Sequence, residues 1–260
     1  MTILDQLAGH ARERVAASKS AVSLKDRCWQ AFSLPKGDFG FEKALRKDGL
    51  SFICECKRAS PSKGLIAPEF PYLQIALDYE AAEAEAISVL TEPKWFLGSD
   101  QYLQEIARTV SLPCLRKDFT VDEYMIYEAK VLGAAAVLLI CSILTEGQIK
   151  EYLHICDELG LSALVEVHNE AEADIALRAG ARIIGVNNRN LNDFSVDPDN
   201  SRRLRALIPR EVLFVSESGI RSAGDVAALR EMGADGVLIG ESLMRTADKK
   251  AALAGLRGGI

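Results

Sequence analysis

The strongest constraint on this chain is a pattern that repeats between residues 51 and 239, in which a short apolar segment is followed by a turn and an amphipathic segment. Short apolar runs bounded by turn residues indicate buried strands, and apolar residues spaced three and four apart indicate helices. The eight predicted strands are Ser51–Lys57, Ile87–Thr91, Cys114–Lys117, Ala135–Cys141, Ala163–Val167, Ile183–Asn187, Val212–Ser216 and Gly236–Ile239. Strands that alternate with helices predict a parallel sheet, and eight such units predict a closed (β/α)8 barrel.

Helices are predicted in the intervals between these strands. They begin near Pro71, include Leu103–Val110, and continue at Asp122–Leu132, Thr145–Leu159, Glu170–Ala179, Asp199–Ile208 and Ser222–Met232. Several are followed by a glycine, which can adopt the left-handed conformation that ends a helix: Gly133, Gly160, Gly180 and Gly233. A doubly wound open sheet is the alternative, and it is disfavoured because no strand is followed by a glycine-rich dinucleotide-binding turn.

The length of 260 residues suits one barrel domain, and no linker or low-complexity stretch marks a second. Apolar residues at helical spacing predict an N-terminal helix: Leu4, Leu7, Ala8, Ala11 and Val15. A second helix is expected near Leu24–Phe32, followed by a loop at Pro35–Gly40. The sequence therefore predicts one TIM-barrel domain over residues 1–260, with residues 1–48 as an N-terminal helical extension that caps one end of the barrel.

Composition narrows the class of protein. The net charge is −6 and no basic face stands out, so nucleic acid is not an expected partner. The six cysteines form no CxxC pair, and three lie in apolar runs, as expected in a reducing cytosol. The three histidines show no ligand spacing, so no zinc site is expected.

The N-terminal residues include Asp5, Arg12, Glu13 and Arg14, which is not the pattern of a signal peptide. The longest apolar run, near Ala134–Ile140, is far shorter than the ~20 residues that span a membrane. We therefore expect a soluble, cytoplasmic protein with no membrane partner.

The first predicted strand ends in a carboxylate and an amine, Glu55 and Lys57, which alternation places on one face, with Cys54 and Cys56 on the other. Opposite charges on a buried face need a reason. One interpretation is an ion pair that only stabilises the strand, and the other is a polar mouth where the strand meets its loop. The loop Ser60–Gly64 combines hydroxyls, a cation and flexible backbone, which suits an anion.

Other predicted strands also end in polar residues, and in such a barrel the active site lies at the carboxyl ends of the strands. A single charge there is more often solvated or paired than catalytic. The candidates that should converge on one rim are Glu55, Lys57, Lys117, Glu166, Asn187 and Glu217. Their convergence favours an active site over a set of unrelated surface charges.

The last two strand-end loops indicate a phosphate site. Ser218-Gly219 and Gly240-Glu241-Ser242 follow strands seven and eight, where barrels often bind phosphate through backbone N–H groups and a short extra helix, here residues 241–245. The alternative is a pair of ordinary helix caps. We expect the backbone N–H of Glu241 to serve the phosphate while its carboxylate points away.

The mixture of lysines and glutamates predicts that each keeps its neighbour charged, which favours proton transfer on a substrate with two anionic ends. No cofactor is required.

His168 is expected to be structural. Trp95, Phe96 and Phe119 follow strands two and three, where they could form an apolar slot for a flat ring, although core packing is the usual role of each alone.

Taken together, the motifs resemble the indole-3-glycerol phosphate synthase family, and the resemblance runs the whole length from Ile3-Leu4-Asp5. The motifs that carry it are Glu55–Gly64, Leu115–Phe119, Leu164–His168, Gly185–Leu191, Glu217–Ile220 and Leu238–Met244. It implies a (β/α)8 barrel of tryptophan biosynthesis that converts 1-(2-carboxyphenylamino)-1-deoxy-D-ribulose 5-phosphate to indole-3-glycerol phosphate, with loss of carbon dioxide and water and without a cofactor.

The resemblance also implies residue roles. Lys117 is similar to the general acid of ring closure, and Glu166 to the base of dehydration. Lys57 would pair with the substrate carboxylate and donate a proton later. The remaining positions are Glu55 and Glu217, which orient these groups; Asn187, Ser60, Phe119 and Arg189, which contact substrate; and Ser218, Gly219, Gly240 and Glu241, which bind phosphate. Cys56 replaces a branched apolar residue of the family, but alternation directs it outward.

Two other functions remain open from sequence. One is phosphoribosylanthranilate isomerase, a related barrel expected to end its first strand in a catalytic cysteine, whereas this strand ends in Lys57. The other is a non-catalytic barrel that binds phosphorylated sugars. In either case the expected partner is a small phosphorylated molecule, and the protein is expected to be a monomer or a weak homodimer.

Overall fold

The structure is a computed structural model that describes residues 2–190 and 194–258, so Leu191, the last residue of the sixth-strand motif, lies outside it. Its strands are β1 (Ser51–Cys56), β2 (Ala59–Ser60), β3 (Gly64–Leu65), β4 (Ala86–Leu90), β5 (Cys114–Lys117), β6 (Ala136–Ile140), β7 (Ser162–Val167), β8 (Ile183–Asn187), β9 (Leu213–Glu217) and β10 (Gly236–Ile239). Strands β2 and β3 form a small antiparallel pair, and the other eight described strands form a closed parallel barrel. The predicted TIM barrel is confirmed.

Helices follow the barrel strands and also precede the first one. They are α1 (Ile3–Ala21), α2 (Leu24–Ser33), α3 (Gly40–Leu45), α4 (Tyr72–Ala81), α5 (Asp100–Thr109), α6 (Tyr124–Leu132), α7 (Glu146–Leu159), α8 (Glu170–Ala179), α9 (Asp199–Arg205), α10 (Ala223–Glu231), α11 (Glu241–Met244) and α12 (Lys249–Arg257). Strands β5, β8 and β10 have their predicted bounds, and the other barrel strands differ by one residue at one or both ends. Helices α3 and α12 and the β2–β3 pair were not predicted.

Alternation along each strand separates two hydrophobic layers. Ile53 packs inside the barrel, whereas Cys54 and Cys56 pack outside it against the helices, as predicted. The inner layer from the strands consists of Ile53, Ala86, Leu115, Ala136, Leu138, Ile140, Leu164, Ile183, Leu213, Val215 and Leu238. The interior is therefore filled with side chains, and the charged residues of the inner face lie at its carboxyl end.

The N-terminal extension contacts both ends of the barrel, so the prediction that it caps one end is wrong. Helix α1 lies over the carboxyl end, where Arg14 pairs with Asp118 just after β5 at 2.6 Å. Helix α3 closes the amino end, where Phe41 is fully buried and Ser51 Oγ donates to the carbonyl of Ala44 at 3.0 Å. The apolar residues of α3 are needed there because that end would otherwise expose the inner layer.

Helix α2 links these two helices along the outer wall and packs beside α6, where Arg27 Nε donates to Tyr124 Oη at 3.2 Å. The predicted terminating glycines are confirmed by their left-handed backbone, as at Gly133, with φ of 89° after α6. No helix in residues 2–190 and 194–258 combines the length and apolar character needed to cross a membrane.

Candidate active site

The carboxyl ends of the barrel strands surround a cavity of about 800 Å³. The structure brings every predicted site residue to its wall: Glu55, Lys57, Ser60, Lys117, Phe119, Glu166, Asn187, Arg189, Glu217, Ser218, Gly219, Gly240 and Glu241. These residues come from strands and loops far apart in sequence, and the parallel closed sheet places their ends on one rim.

Lys117, at the end of β5, is the centre of the charged cluster. Its Nζ lies 3.0 Å from Glu166 Oε2 and 3.4 Å from Glu217 Oε2. Burial alone would lower the pKa of Lys117, but the attraction of Glu166, Glu217 and Glu55 raises it well above its ordinary value of 10.5. Lys117 is therefore a cation that can donate a hydrogen bond or a proton into the cavity.

The two carboxylates beside Lys117 differ in protonation. Burial alone would raise the pKa of Glu166, but Lys117 and then His168 hold it well below 4.5. Burial raises the pKa of Glu217 to about 7, and the nearby charges of Glu166 and Glu55 add to this effect. The expectation that every lysine and glutamate keeps its neighbour charged is therefore wrong for Glu217, because Lys117 is closer to Glu166 and Glu217 repels two other carboxylates.

Glu217 also depends on a glycine in the neighbouring strand. A Cβ at Gly185 would lie 3.1 Å from Leu164 Cδ1 and would collide with Glu217 Oε1. That oxygen is buried and has no hydrogen-bond partner among the described residues. Gly185 thus provides the space that the Glu217 carboxyl group occupies.

The Glu55–Lys57 pair at the end of β1 is a direct ion pair, with Glu55 almost completely buried and Lys57 facing the cavity. Ser88 Oγ donates a long hydrogen bond of 3.4 Å to Glu55 Oε2. The loop after β10 passes close to the pair, since a Cβ at Gly240 would lie 2.8 Å from Lys57 Nζ. The two interpretations of this pair from sequence were an ion pair that stabilises the strand and a polar mouth at the strand end. The structure is compatible with both, because the pair lies at the end of β1 and lines the cavity.

Asn187 connects the acid–base cluster to the predicted phosphate loop. Its Nδ2 donates to Glu166 Oε1 at 3.3 Å, and its Oδ1 accepts from Ser218 Oγ at 2.9 Å. The backbone N–H of Arg189 donates to the same oxygen at 3.0 Å, and the Arg189 guanidinium donates to the carbonyl of Phe194 at 3.1 Å. A shift of Asn187 would therefore disturb both parts of the site.

Both loops that were predicted to bind phosphate line the cavity. Ser218 and Gly219 are consecutive residues with positive φ, 66° and 90°, and a Cβ at Gly219 would lie 2.9 Å from Val196 Cγ1. The short helix predicted at residues 241–245 is α11. The Glu241 carboxylate lies 3.2 Å from Arg245 Nε and 3.8 Å from Lys63 Nζ.

Three cations line this part of the cavity: Lys63, Arg221 and Arg245. Lys63 is the cation of the loop Ser60–Gly64 that was predicted to suit an anion, whereas the sequence analysis did not single out Arg221 and Arg245. All three are exposed and lie within a few residues of the predicted loops. Arg221 directly follows the motif Glu217–Ile220 and Arg245 directly follows Leu238–Met244, which was the available signal, and a cation there suits a phosphate.

An apolar wall faces the charged cluster. The rings of Phe96 and Phe119 lie with their centroids 6.1 Å apart, and Ile3 and Leu7 of α1 complete the surface. Trp95, the third aromatic candidate, does not line the cavity; it lies edge-on to the His10 ring, with 5.4 Å between centroids, and packs against the inner core while partly buried. Phe96 and Phe119 are therefore the aromatic candidates that face the cavity.

His168 was predicted to be structural, but its imidazole contacts a candidate catalytic group. Nε2 lies 3.2 Å from Glu166 Oε1, and Nδ1 lies 3.1 Å from Glu172 Oε2. Burial alone would lower the pKa of His168, but Glu166 and Glu172 raise it to about 10. The missed signal was the spacing of two residues between Glu166 and His168 at the end of β7, which places them on one face.

Within the described residues, no group of three or more histidine, cysteine, aspartate or glutamate side chains is arranged to hold a metal ion. The cavity wall combines a lysine–glutamate cluster, an apolar surface and the two loops that were predicted to bind phosphate. A model of a protein family described as "Indole-3-glycerol phosphate synthase" matches residues 4–256.

The chain belongs to the indole-3-glycerol phosphate synthase family.

Relatives with that description cover almost the whole chain. The one from Ruminiclostridium cellulolyticum is 58% identical over 257 residues, which cover 98% of this chain and 99% of the relative. The one from Leuconostoc mesenteroides is 52% identical over 259 residues, with coverage of 98% and 99%. The resemblance predicted from the motifs is therefore confirmed.

Solved structures of lower identity share the fold. A 3-hexulose-6-phosphate synthase superposes with a TM-score of 0.64 at 16% identity, covering 81% of this chain and all of that one. The tryptophan synthase alpha-subunit from Pyrococcus furiosus superposes with a TM-score of 0.61 at 18% identity, covering 80% of this chain and 98% of that one. At these identities the superpositions show that the chain shares a barrel architecture with these proteins, and they give no information on its reaction.

Proposed function

We propose that this protein catalyses the reaction of its family in tryptophan biosynthesis, the conversion of 1-(2-carboxyphenylamino)-1-deoxy-D-ribulose 5-phosphate to indole-3-glycerol phosphate. The observation that carries the proposal is the position of Lys117, a buried cation between two carboxylates on the wall of a cavity of about 800 Å³. A predicted phosphate loop lines the same cavity, so it offers an acid, a base and an anion site to one substrate.

Ring closure requires a proton donor at the ketone. The ring carbon that bears the carboxylate attacks the ketone carbon, a C–C bond forms, and the ketone oxygen takes a proton from Lys117 to become a hydroxyl. Lys117 suits this role because its neighbours keep it protonated until the substrate oxygen develops negative charge. Glu217 and Glu55 are proposed to orient the lysines.

The later steps restore the aromatic ring. The bond to the carboxylate breaks, carbon dioxide leaves, and its electron pair returns to the ring. Dehydration then removes a proton, which Glu166 accepts, and the hydroxyl leaves as water after taking a proton from Lys57. Glu166 is ionised and faces the cavity, which are the properties a base requires.

The remaining residues are proposed to bind substrate. Ser218, Gly219, Gly240 and Glu241 would hold the phosphate with backbone N–H groups, and Lys63, Arg221 and Arg245 would add attraction at the rim. Phe119 would contact the aromatic ring, while Ser60, Asn187 and Arg189 would contact polar groups of the substrate. Anchoring both ends would position the reacting carbons, which is a large part of catalysis in such a reaction.

Three further expectations stay proposals. We propose that residues 1–260 form one domain with residues 1–48 as its helical extension, that the protein works in the cytoplasm, and that it is a monomer or a weak homodimer. The lysine–glutamate cluster and the phosphate loop all belong to one copy of the chain, which is consistent with a monomer that is active on its own.

The first test is the rise in indole fluorescence when purified protein is mixed with the substrate, without added metal or cofactor. We expect steady turnover. Binding without turnover would support the non-catalytic barrel, and no binding at all would contradict the phosphate site.

Lys117→Ala tests the acid. We expect kcat to fall by ~10²–10⁴-fold, as is typical when a general acid is removed, while substrate binding measured by titration persists. Lys150→Ala is the matched control, because Lys150 is a half-exposed lysine on α7 that pairs with Glu146 outside the cavity. A kcat for Lys117→Ala close to that of Lys150→Ala would overturn the assignment of Lys117.

A further inference from the structure

His168 lies just beyond the end of β7 and behind the cavity wall, between two carboxylates. Its Nε2 is 3.2 Å from Glu166 Oε1, and its Nδ1 is 3.1 Å from Glu172 Oε2 on the first turn of α8. The backbone N–H of His168 also donates to Glu172 Oε2 at 2.8 Å. Only 15% of the imidazole is exposed. Nδ1 lies within hydrogen-bond distance of Glu172 and Ser142, whereas Nε2 meets Glu166 as a charge contact without hydrogen-bond geometry.

The Glu166 carboxylate is contacted on both oxygens. Oε2 lies 3.0 Å from Lys117 Nζ, on the cavity side. Oε1 is 3.2 Å from His168 Nε2 and accepts from Asn187 Nδ2 at 3.3 Å. Without His168, Oε1 would keep only the long hydrogen bond from Asn187, and rotation of the carboxylate would be much less restricted.

We propose that His168 is a positioning residue for the Glu166 carboxylate, and that Glu172 holds the imidazole in the orientation this requires. The inference rests on the proposed function, in which Glu166 removes a proton from the substrate. A base must lie within hydrogen-bond reach of that proton, and a displacement of about 1 Å can reduce a rate ~10²-fold. Neither His168 nor Glu172 lines the cavity, so each acts through Glu166.

A second His–Glu pair shows that the spacing alone is not the important feature. His154 and Glu158 on α7 have the same spacing of four residues, with 3.6 Å between His154 Nε2 and Glu158 Oε1. That imidazole is 74% exposed and does not line the cavity. It therefore provides a matched control that removes a similar pair without touching the site.

Two substitutions separate positioning from structural support. In His168→Gln the amide nitrogen can replace Nε2, which faces Glu166. In His168→Asn it can replace Nδ1, which faces Glu172. We expect His168→Asn to lower kcat by ~10- to 100-fold with little change in KM, and His168→Gln to retain most of the turnover. His154→Gln should match the unmodified protein. A purely structural role through Glu172 would produce the opposite order and overturn the proposal.

The pH dependence of kcat gives a second readout. The polar and titratable groups that face His168 are Glu166, Glu172 and Ser142, and Ser142 Oγ lies 3.2 Å from Nδ1. Cys141 interacts with the same two carboxylates. Glu166 in turn faces Lys117 and lies near Glu217. Loss of the imidazolium in His168→Gln raises the pKa of Glu166, so the acid limb of the profile should move to higher pH. An acid limb of His168→Gln that does not move would contradict the proposal. This test still applies if circular dichroism shows that His168→Asn does not fold.

Glu166→Gln distinguishes this inference from the proposed function. Normal turnover in Glu166→Gln would remove the proposed base, and the positioning role of His168 would fail with it. If Glu166→Gln is inactive while both His168 variants behave like His154→Gln, the proposed function stands and only the inference about His168 fails.

Discussion

At the residue scale, Glu166 and Glu217 are two buried carboxylates beside one amine, and their pKa values shift in opposite directions. Lys117 is closer to Glu166, which also contacts His168, so Glu166 stays ionised. Glu217 has the weaker contact, and its pKa rises to about 7. The two environments therefore give the two carboxyl groups different properties: Glu166 is ionised and suits a base, whereas Glu217 exchanges its proton near neutral pH.

The raised pKa of Glu217 predicts a pH-dependent stability. Between pH 4.5 and about 7 the unfolded chain has lost the proton that the folded chain keeps, so the free energy of unfolding falls as the pH rises. The side chain in Glu217→Gln cannot titrate. The decrease in the free energy of unfolding from pH 5 to pH 7 should therefore be smaller in this variant than in the unmodified protein, by about 2 kcal/mol. Urea unfolding at the two pH values measures this difference. Glu211→Gln, an exposed control before β9, should keep the unmodified slope, and an equal slope in Glu217→Gln would contradict the shift.

At the element scale, helix α1 forms part of the site, and an ion pair between Arg14 and Asp118 joins it to the residue after β5. Two further side-chain pairs also hold the helix: His10–Glu92 and Lys19–Asp122. Arg14 makes two hydrogen bonds to Asp118, at 2.6 and 3.0 Å, and the Asp118 side chain is fully buried. Burial alone would raise the pKa of Asp118, but Arg14 holds it below its ordinary value. Asp118 directly follows Lys117, so the same ion pair supports the end of β5.

Arg14→Ala should therefore affect both stability and substrate affinity. It leaves a buried carboxylate without its cation, and we expect the free energy of unfolding to fall by about 3 kcal/mol. KM should rise as well, since Ile3 and Leu7 of the loosened helix line the cavity. Urea unfolding and steady-state kinetics check the two effects. Arg12→Ala, an exposed arginine on the same helix, should change neither. A stable Arg14→Ala would show that the other contacts of α1, its apolar packing and the His10–Glu92 and Lys19–Asp122 pairs, suffice to hold it.

At the scale of the whole molecule, the barrel has a catalytic end and a structural end. The carboxyl end holds the polar cavity, and the amino end is closed by α3 through Phe41 and Leu45. Barrels commonly divide their two faces in this way. Chemistry can therefore vary at one end without loss of the packing that stabilises the other.

Phe41→Ala tests this division. Truncation of a fully buried phenylalanine should lower the free energy of unfolding by about 3 to 5 kcal/mol, while kcat per folded molecule stays unchanged because the side chain is at the opposite end from the cavity. Phe32→Ala on α2 is the control, because that ring is half exposed. A large fall in kcat for Phe41→Ala would show that the two ends are coupled.

The sequence by itself determined the architecture and the position of the site. Strand and helix periods are local properties, so Cys114–Lys117, Ile183–Asn187 and Gly236–Ile239 could be assigned from their own residues. A closed parallel barrel then requires the strand ends to share one rim, which brought Glu55 and Glu217 together without any coordinates. The motifs at these ends also sufficed to indicate the family.

Only the tertiary structure decided the relations between side chains on different elements. The preference of Lys117 for Glu166 over Glu217 depends on distances across the barrel of 3.0 and 3.4 Å. The raised pKa of Glu217 follows first from its burial and then from its position near Glu166 and Glu55. The placement of α3 at the amino end of the barrel was likewise not predictable, and the sequence spacing of Glu166 and His168 gave a shared face but not their contact. Such contacts depend on strand stagger, side-chain rotamers and burial, which arise only when distant segments pack together.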